Sequence, residues 1–165
     1  MTDNFIQLNK NDVLVLGIKD EEGNPTGEYM EFDLEDVELP LIYQEMAEKI
    51  KKNNTNLRND LIIINKRQDA KGKKLFSKNE EDKIKAFKDY FEKQIEAYNM
   101  FLGEDGVRKL LNGRKVGWTT LDEIDHIIGD QIAPYFNNTM EKIEKKIKDK
   151  YKRKTTNEEE IEVVE

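Results

Sequence analysis

Cysteine is absent from the 165 residues, so the chain contains neither a disulfide nor a thiol nucleophile. This absence fits a reducing compartment. Histidine, tryptophan and serine each occur once, as His126, Trp118 and Ser77. A catalytic triad would have to bring Ser77 and His126 together, and no pattern in the chain predicts this. The sequence therefore offers no positive argument for an enzyme, although hydrolysis by clustered carboxylates stays an alternative.

Long hydrophobic runs are also missing. No stretch reaches the roughly 18 apolar residues of a transmembrane helix, and the start MTDNFIQLNKND lacks the features of a secretory signal. We therefore expect a cytoplasmic protein with no membrane partner. With 36% hydrophobic and 38% charged residues, the chain fits one globular domain that needs no metal or disulfide to fold.

Charge is unevenly distributed along the chain. Residues 1–50 contain 13 acidic and 3 basic residues, which leaves 22 acidic and 25 basic residues for the remainder. We expect the two parts to attract each other, within one copy or between copies of a homo-oligomer. Eight basic residues lie in 142–154, but a solvated lysine-rich helix explains them better than a phosphate-binding face. Nucleic acid is therefore not an expected partner.

A β-hairpin is predicted over residues 12–35. Met30, Phe32 and Leu34 alternate with acidic residues, and a β-branched run precedes them at residues 13–18. The intervening KDEEGNPTGE is rich in turn-forming residues. Two strands alone are only marginally stable, so we expect helices to cover one face.

The helical body is predicted over residues 40–152. One helix runs from Pro40 to about Lys52, residues 53–56 interrupt it, and a further segment from Leu57 favours helix over a buried strand. Ser77 and Glu80 form a capping box that opens a long helix, which ends at Gly103. Its apolar seam consists of Ile84, Phe87, Phe91, Ile95 and Tyr98.

The C-terminal part is predicted to contain a short helix that ends at Gly113 and a long helix that a Thr120–Glu123 capping box opens. Pro134 should kink or break the long helix near residues 131–134. Residues 153–165 are predicted to be a flexible acidic tail. The predicted architecture is one α+β domain over residues 1–152, predominantly helical, with an N-terminal β-hairpin packed on about four to five helices.

Metal and anion sites are weakly indicated. A helical acidic cluster contains Asp122, Asp125, His126 and Asp130, yet no second set of ligands accompanies it, so a solvated face is favoured. The turn over residues 113–117 contains two basic residues between glycines, which is a weak signal for an anion. No cofactor is expected.

Three stretches together resemble the tail assembly chaperones of long-tailed phages and prophages of Gram-positive bacteria. They are GNPTGEYMEFDLEDVELP, YNMFLGEDGVRKLL and TLDEIDHIIGDQIAPYF, and they span roughly residues 12–140. The resemblance implies a non-enzymatic protein of the host cytoplasm. It also implies binding to the tape-measure protein, or another phage tail protein, and support of tail-tube assembly.

The apolar corner around MFLGEDG is the predicted partner surface, because long helices with apolar seams leave more apolar surface than one hairpin can cover. The predicted residues are Phe91, Ile95, Tyr98, Phe101, Leu102, Val107, Leu110 and Leu111. An alternative hypothesis is a small acidic phage-encoded regulator or inhibitor. It would use the carboxylates around Glu28 to Glu38 to bind a basic surface of a host protein.

Overall fold

The computed structural model describes residues 5–70, 72 and 74–162, with side chains as far as residue 152. Its strands are β1 (Val13–Lys19) and β2 (Pro25–Asp33). Its helices are α1 (Glu38–Lys66), α2 (Lys78–Leu102), α3 (Gly106–Leu111), α4 (Trp118–His126) and α5 (Thr139–Glu162). The predicted class, α+β with helices predominating, is confirmed.

Strands β1 and β2 form the antiparallel hairpin that the sequence predicts, with Leu16 opposite Met30. Successive side chains of a strand point to opposite faces. One face places Ile18, Met30 and Phe32 in the core, whereas Tyr29 on the other face is exposed. The hairpin is thus buried on one side only.

The turn between the strands is held by Asp20. Its Oδ1 accepts hydrogen bonds from the backbone N–H groups of Glu22 and Asn24, at 3.0 and 2.8 Å. Gly23 follows with a φ of 84°, a conformation that residues with a Cβ rarely adopt. These contacts explain why a segment so rich in turn-forming residues reverses the chain here.

Helix α1 is continuous, so the predicted interruption over residues 53–56 is wrong. Asparagine is unfavourable inside helices because its side chain competes with the backbone for hydrogen bonds. Here the competing groups have tertiary partners. Asn53 Nδ2 donates to Gln94 Oε1 at 2.8 Å, and Asn54 Oδ1 accepts from the Tyr90 hydroxyl at 2.6 Å. Helix α2 thereby holds the asparagines in helical conformation.

Helix α2 begins and ends as predicted. Ser77 Oγ accepts from the backbone N–H of Glu80, and the Glu80 carboxylate accepts from the backbone N–H of Ser77, which completes the capping box. Gly103 ends the helix with a φ of 100°. Because both signals act between near neighbours in sequence, they are readable without tertiary information.

Helix α4 begins earlier than predicted, with Gly117 rather than Thr120 at its N-terminus. Thr120 lies inside the first turn, where its Oγ1 accepts from the Gly117 N–H at 2.7 Å. The predicted capping box between Thr120 and Glu123 is therefore wrong. Thr120 does cap the helix: from the third helical position, its hydroxyl oxygen accepts a hydrogen bond from the backbone of Gly117, which precedes the helix.

The predicted break near Pro134 is present, and a π-helical segment, which is wider than an α-helix, precedes it. Residues Ile127–Ile132 form a π-helical segment and Ala133–Tyr135 a 3₁₀ turn, before α5 begins at Thr139. Proline has no N–H and its ring clashes with the carbonyl four residues earlier, so an α-helix cannot continue through it. The backbone of α5 continues to Glu162, whereas the sequence predicts a tail from residue 153; residues 163–165 lie outside the described range.

The core lies where the hairpin meets α1, α2, α3, α4 and the segments on both sides of Pro134. Phe101 is in its centre, with ring centroids 5.4 Å from Phe32, 5.4 Å from Tyr43 and 5.9 Å from Phe136. Gly106 packs so closely that a Cβ there would overlap Leu102. Within the described residues, no helix is long and apolar enough to cross a membrane.

Candidate functional site

Half of the predicted partner surface is core. Tyr98, Phe101, Leu102 and Val107 are between 1% and 8% exposed. Side chains this deeply buried cannot reach a partner while the domain is folded. Phe101 belongs to the core cluster, so it cannot serve as a partner contact of the folded domain.

The other four predicted residues remain at least partly accessible. Leu110 and Leu111 on α3 pack against the edge of the core. Phe91 and Ile95 line an open apolar groove along α2. Partner contact through these four side chains stays a prediction.

The α2 groove, as we call it, is an open apolar channel of about 510 Å³ along the outer face of α2. Its lining consists of Ile84, Phe87, Lys88, Phe91, Glu92, Ile95 and Val116. Ile84 and Phe87 are 49% and 38% exposed, which is unusual for large apolar side chains so close together. Only Lys88 and Glu92 bring charge to this channel.

The residues of the predicted α2 seam therefore lie in two different environments, the core and the surface. Its last member, Tyr98, is in the core, whereas Ile84 and Phe87 face outward. The face that packs on α1 contains instead Tyr90 and Gln94. A polar layer joins the two helices at this face, while Phe91 and Ile95 of the seam pack against the edge of the core.

This polar layer is fully satisfied. Gln94 is 2% exposed, and its amide donates to the Tyr90 hydroxyl at 3.1 Å while accepting from Asn53. The described residues contain no buried side-chain nitrogen or oxygen without a hydrogen-bond partner. Because an unpaired buried polar group costs about 1–3 kcal/mol, the layer fixes how α1 and α2 align.

A second concavity, the Trp118 pocket, lies beside this layer and has a volume of about 220 Å³. Its lining residues are Ile50, Asn54, Tyr90, Gln94, Tyr98, Trp118, Leu121, Asp122 and Asp125. The Tyr98 hydroxyl donates to Asp125 Oδ1 at 3.0 Å. Burial, and then the charge of Asp125, raise the pKa of Tyr98, so this hydroxyl stays a donor at neutral pH.

His126 lies on the solvent face of α4, with its side chain 71% exposed. Its ring nitrogens are 3.7 Å from Asp122 and 3.8 Å from Asp130. In the described part of the chain, no group of three or more His, Asp or Glu side chains is arranged to hold a metal ion. The four members of the predicted cluster are exposed, and two of them, Asp122 and Asp125, border the Trp118 pocket.

The basic residues of α5 line a third concavity, of about 410 Å³, between α5 and the base of the hairpin. Lys142, Lys146 and Lys150 border an apolar floor that includes Val37 and Ile147. These three lysines therefore lie beside Asp12 and Glu35 of the acidic first third of the chain.

Among the described side chains, three ion pairs join the acidic hairpin region to the helices and loops. Glu21 pairs with Arg114 at 3.1 Å, Glu28 with Arg108 at 3.6 Å, and Glu35 with Lys146 at 3.6 Å. Charge attraction within one copy, which the sequence left as one of two alternatives, thus occurs. Arg114 belongs to the predicted anion-binding turn, and its guanidinium already faces Glu21.

No protein-family model, curated protein or solved structure matches the chain.

Proposed function

We propose that this protein is a non-enzymatic binding protein that acts as a phage tail assembly chaperone in the host cytoplasm. Its client is the tape-measure protein, whose long apolar helices it covers while tail-tube subunits assemble. The observation that carries the proposal is the exposed α2 groove, which supplies an apolar helix with a matching channel.

The dimensions of the groove suit a helix. From Ile84 to Ile95 the lining advances by steps of three and four residues, so its members form one stripe. At 1.5 Å per residue this stripe is about 17 Å long, or three helical turns. A client helix would meet the stripe through its own apolar residues at the same spacing.

The surroundings of the groove favour release as well as binding. The α2 groove is open to solvent, and the net charge of −7 keeps the chaperone itself from aggregating. A client helix held only by apolar contact over three turns can dissociate when the tail tube replaces the chaperone.

The acidic-regulator alternative has less support. Two carboxylates of the region around Glu28 to Glu38 already have basic partners within the molecule, Arg108 and Lys146. Salt distinguishes the two functions, because screening weakens exposed ion pairs and leaves apolar contact intact. A client complex that persists in about 0.5 M NaCl supports the chaperone.

The decisive experiment changes the groove without touching the core. We expect Ile84→Asp with Phe87→Asp to abolish co-purification of a co-expressed tape-measure protein, because charge would replace the exposed apolar contact. Circular dichroism should show unchanged helix content. The matched control is Val15→Asp with Leu41→Asp, two exposed apolar residues outside the groove.

The control variant should co-purify the client as the wild type does. If the groove variant retains the client, or if both variants lose it equally while folded, the groove is not the client site.

A further inference from the structure

The Trp118 pocket differs from the α2 groove in size and chemistry. Pockets for drug-sized ligands are roughly 300–1,000 Å³, so a volume of about 220 Å³ admits only one side-chain-sized group. The loop before α4 separates the two concavities, since Val116 lines the groove and Trp118 lines the pocket. The pocket is thus a second, distinct site.

Two carboxylates make the pocket negative. Asp122 and Asp125 are three residues apart on α4, so both lie on the same side of the helix. Tyr98 holds one oxygen of Asp125 in place. Neither carboxylate pairs with a lysine or arginine among the described side chains, and the exposed imidazole of His126 lies 3.7 Å from Asp122.

Aromatic rings also line the pocket. The Trp118 indole stacks on Tyr90 with ring centroids 6.5 Å apart and a tilt of 24°. Trp118 nevertheless stays 68% exposed, so much of its side-chain surface is accessible. The electron-rich face of an indole attracts a cation placed within about 6 Å.

We propose that the Trp118 pocket binds an organic cation that ends in an ammonium or guanidinium group. Asp122 and Asp125 supply the opposite charge, and the open face of Trp118 covers the alkyl or planar part of the ligand. The cation belongs either to a lysine or arginine side chain of a protein or to a free small molecule. The proposal does not depend on the α2 groove, which binds apolar surface.

Trp118 is the only tryptophan, so its fluorescence reports on the pocket directly. We expect a saturable change when the intact protein is titrated with N-acetyl-arginine amide. The citrulline analogue has almost the same shape and no charge, and it should produce no saturable change.

Asp122→Asn combined with Asp125→Asn should weaken arginine-amide binding by about tenfold or more, because the amides keep the shape and lose the charge. The change at position 125 retains an oxygen acceptor for the Tyr98 hydroxyl. The matched control is Glu123→Gln on the same helix, whose carboxylate faces Arg114 at 3.6 Å rather than the pocket. This control should bind like the wild type.

The source of the cation follows from a second titration, with a short alanine-rich helical peptide that contains one arginine. Tighter binding of the peptide than of the amide assigns the pocket to a protein side chain, and equal binding assigns it to a free small cation. The proposal is overturned if citrulline binds as well as arginine, or if the double asparagine variant retains wild-type affinity.

Discussion

The role that the sequence suggests for Phe101 differs from the role that it has in the folded chain. In the sequence it belongs to the apolar corner at the end of a charged helix, which suggests apolar surface that the domain leaves uncovered. In the folded chain it is 4% exposed and contacts three other aromatic rings. Such ring pairs contribute about 0.5–1.5 kcal/mol each beyond the area they bury. The apolar corner is therefore the place where the hairpin packs against the helices.

At this scale we expect Phe101→Asp to unfold the domain, because a charge would enter the centre of the aromatic core. The cost should exceed about 4 kcal/mol, the range of severe core substitutions. Chemical denaturation followed by circular dichroism measures it.

Tyr29→Asp is the control, since Tyr29 is a large aromatic residue on the exposed face of the hairpin. It should change the free energy of unfolding by less than about 1 kcal/mol. A folded, stable Phe101→Asp protein would contradict the core described here.

At the scale of elements, a polar layer joins α1 and α2 in addition to apolar contact such as that of Tyr43 with Phe101. Asn53 and Asn54 lie in mid-helix, where their intrinsic preference is poor, and Gln94 and Tyr90 satisfy them from the facing helix. The polar layer occupies the side of α2 that faces α1, whereas Ile84 and Phe87 of the groove are exposed.

Asn54→Ala should destabilise the domain by about 1–3 kcal/mol, because the Tyr90 hydroxyl would lose its acceptor at 2.6 Å. Asn56→Ala is a close control, since Asn56 is an exposed residue of the same helix. It should be neutral or slightly stabilising, because alanine is the better helix former. Thermal or urea unfolding of both variants measures the difference, and equal stabilities would show that the polar layer does not align the helices.

At the scale of the whole molecule, stability depends on pH through its carboxylates. Hydrogen bonds, first from the Ser77 side chain and then from the Asn79 backbone, lower the pKa of Asp69 below its ordinary value of 3.8. The hydrogen bond from Lys78 lowers the pKa of Asp82 in the same way. A group with a lowered pKa in the folded state stabilises the protein above its ordinary pKa, and this contribution disappears as the pH falls through the folded pKa.

We therefore expect the wild type to be more stable than Asp69→Asn with Asp82→Asn at pH 7. The difference in free energy of unfolding should shrink as the pH falls below about 3.8. Urea unfolding at a series of pH values measures it. Glu104→Gln, at an exposed position, should track the wild type throughout, and a difference that stays constant with pH would contradict the prediction.

What the sequence by itself determined was local. The hairpin, the capping box at Ser77, the glycine end of α2 and the break at Pro134 all depend on residues within a few positions of one another, so their patterns are sufficient.

Only the tertiary structure decided the continuity of α1, the burial of Phe101 and the outward face with Ile84. Each depends on partners tens of residues away, and an apolar stripe has the same periodicity whether it meets the core or the solvent.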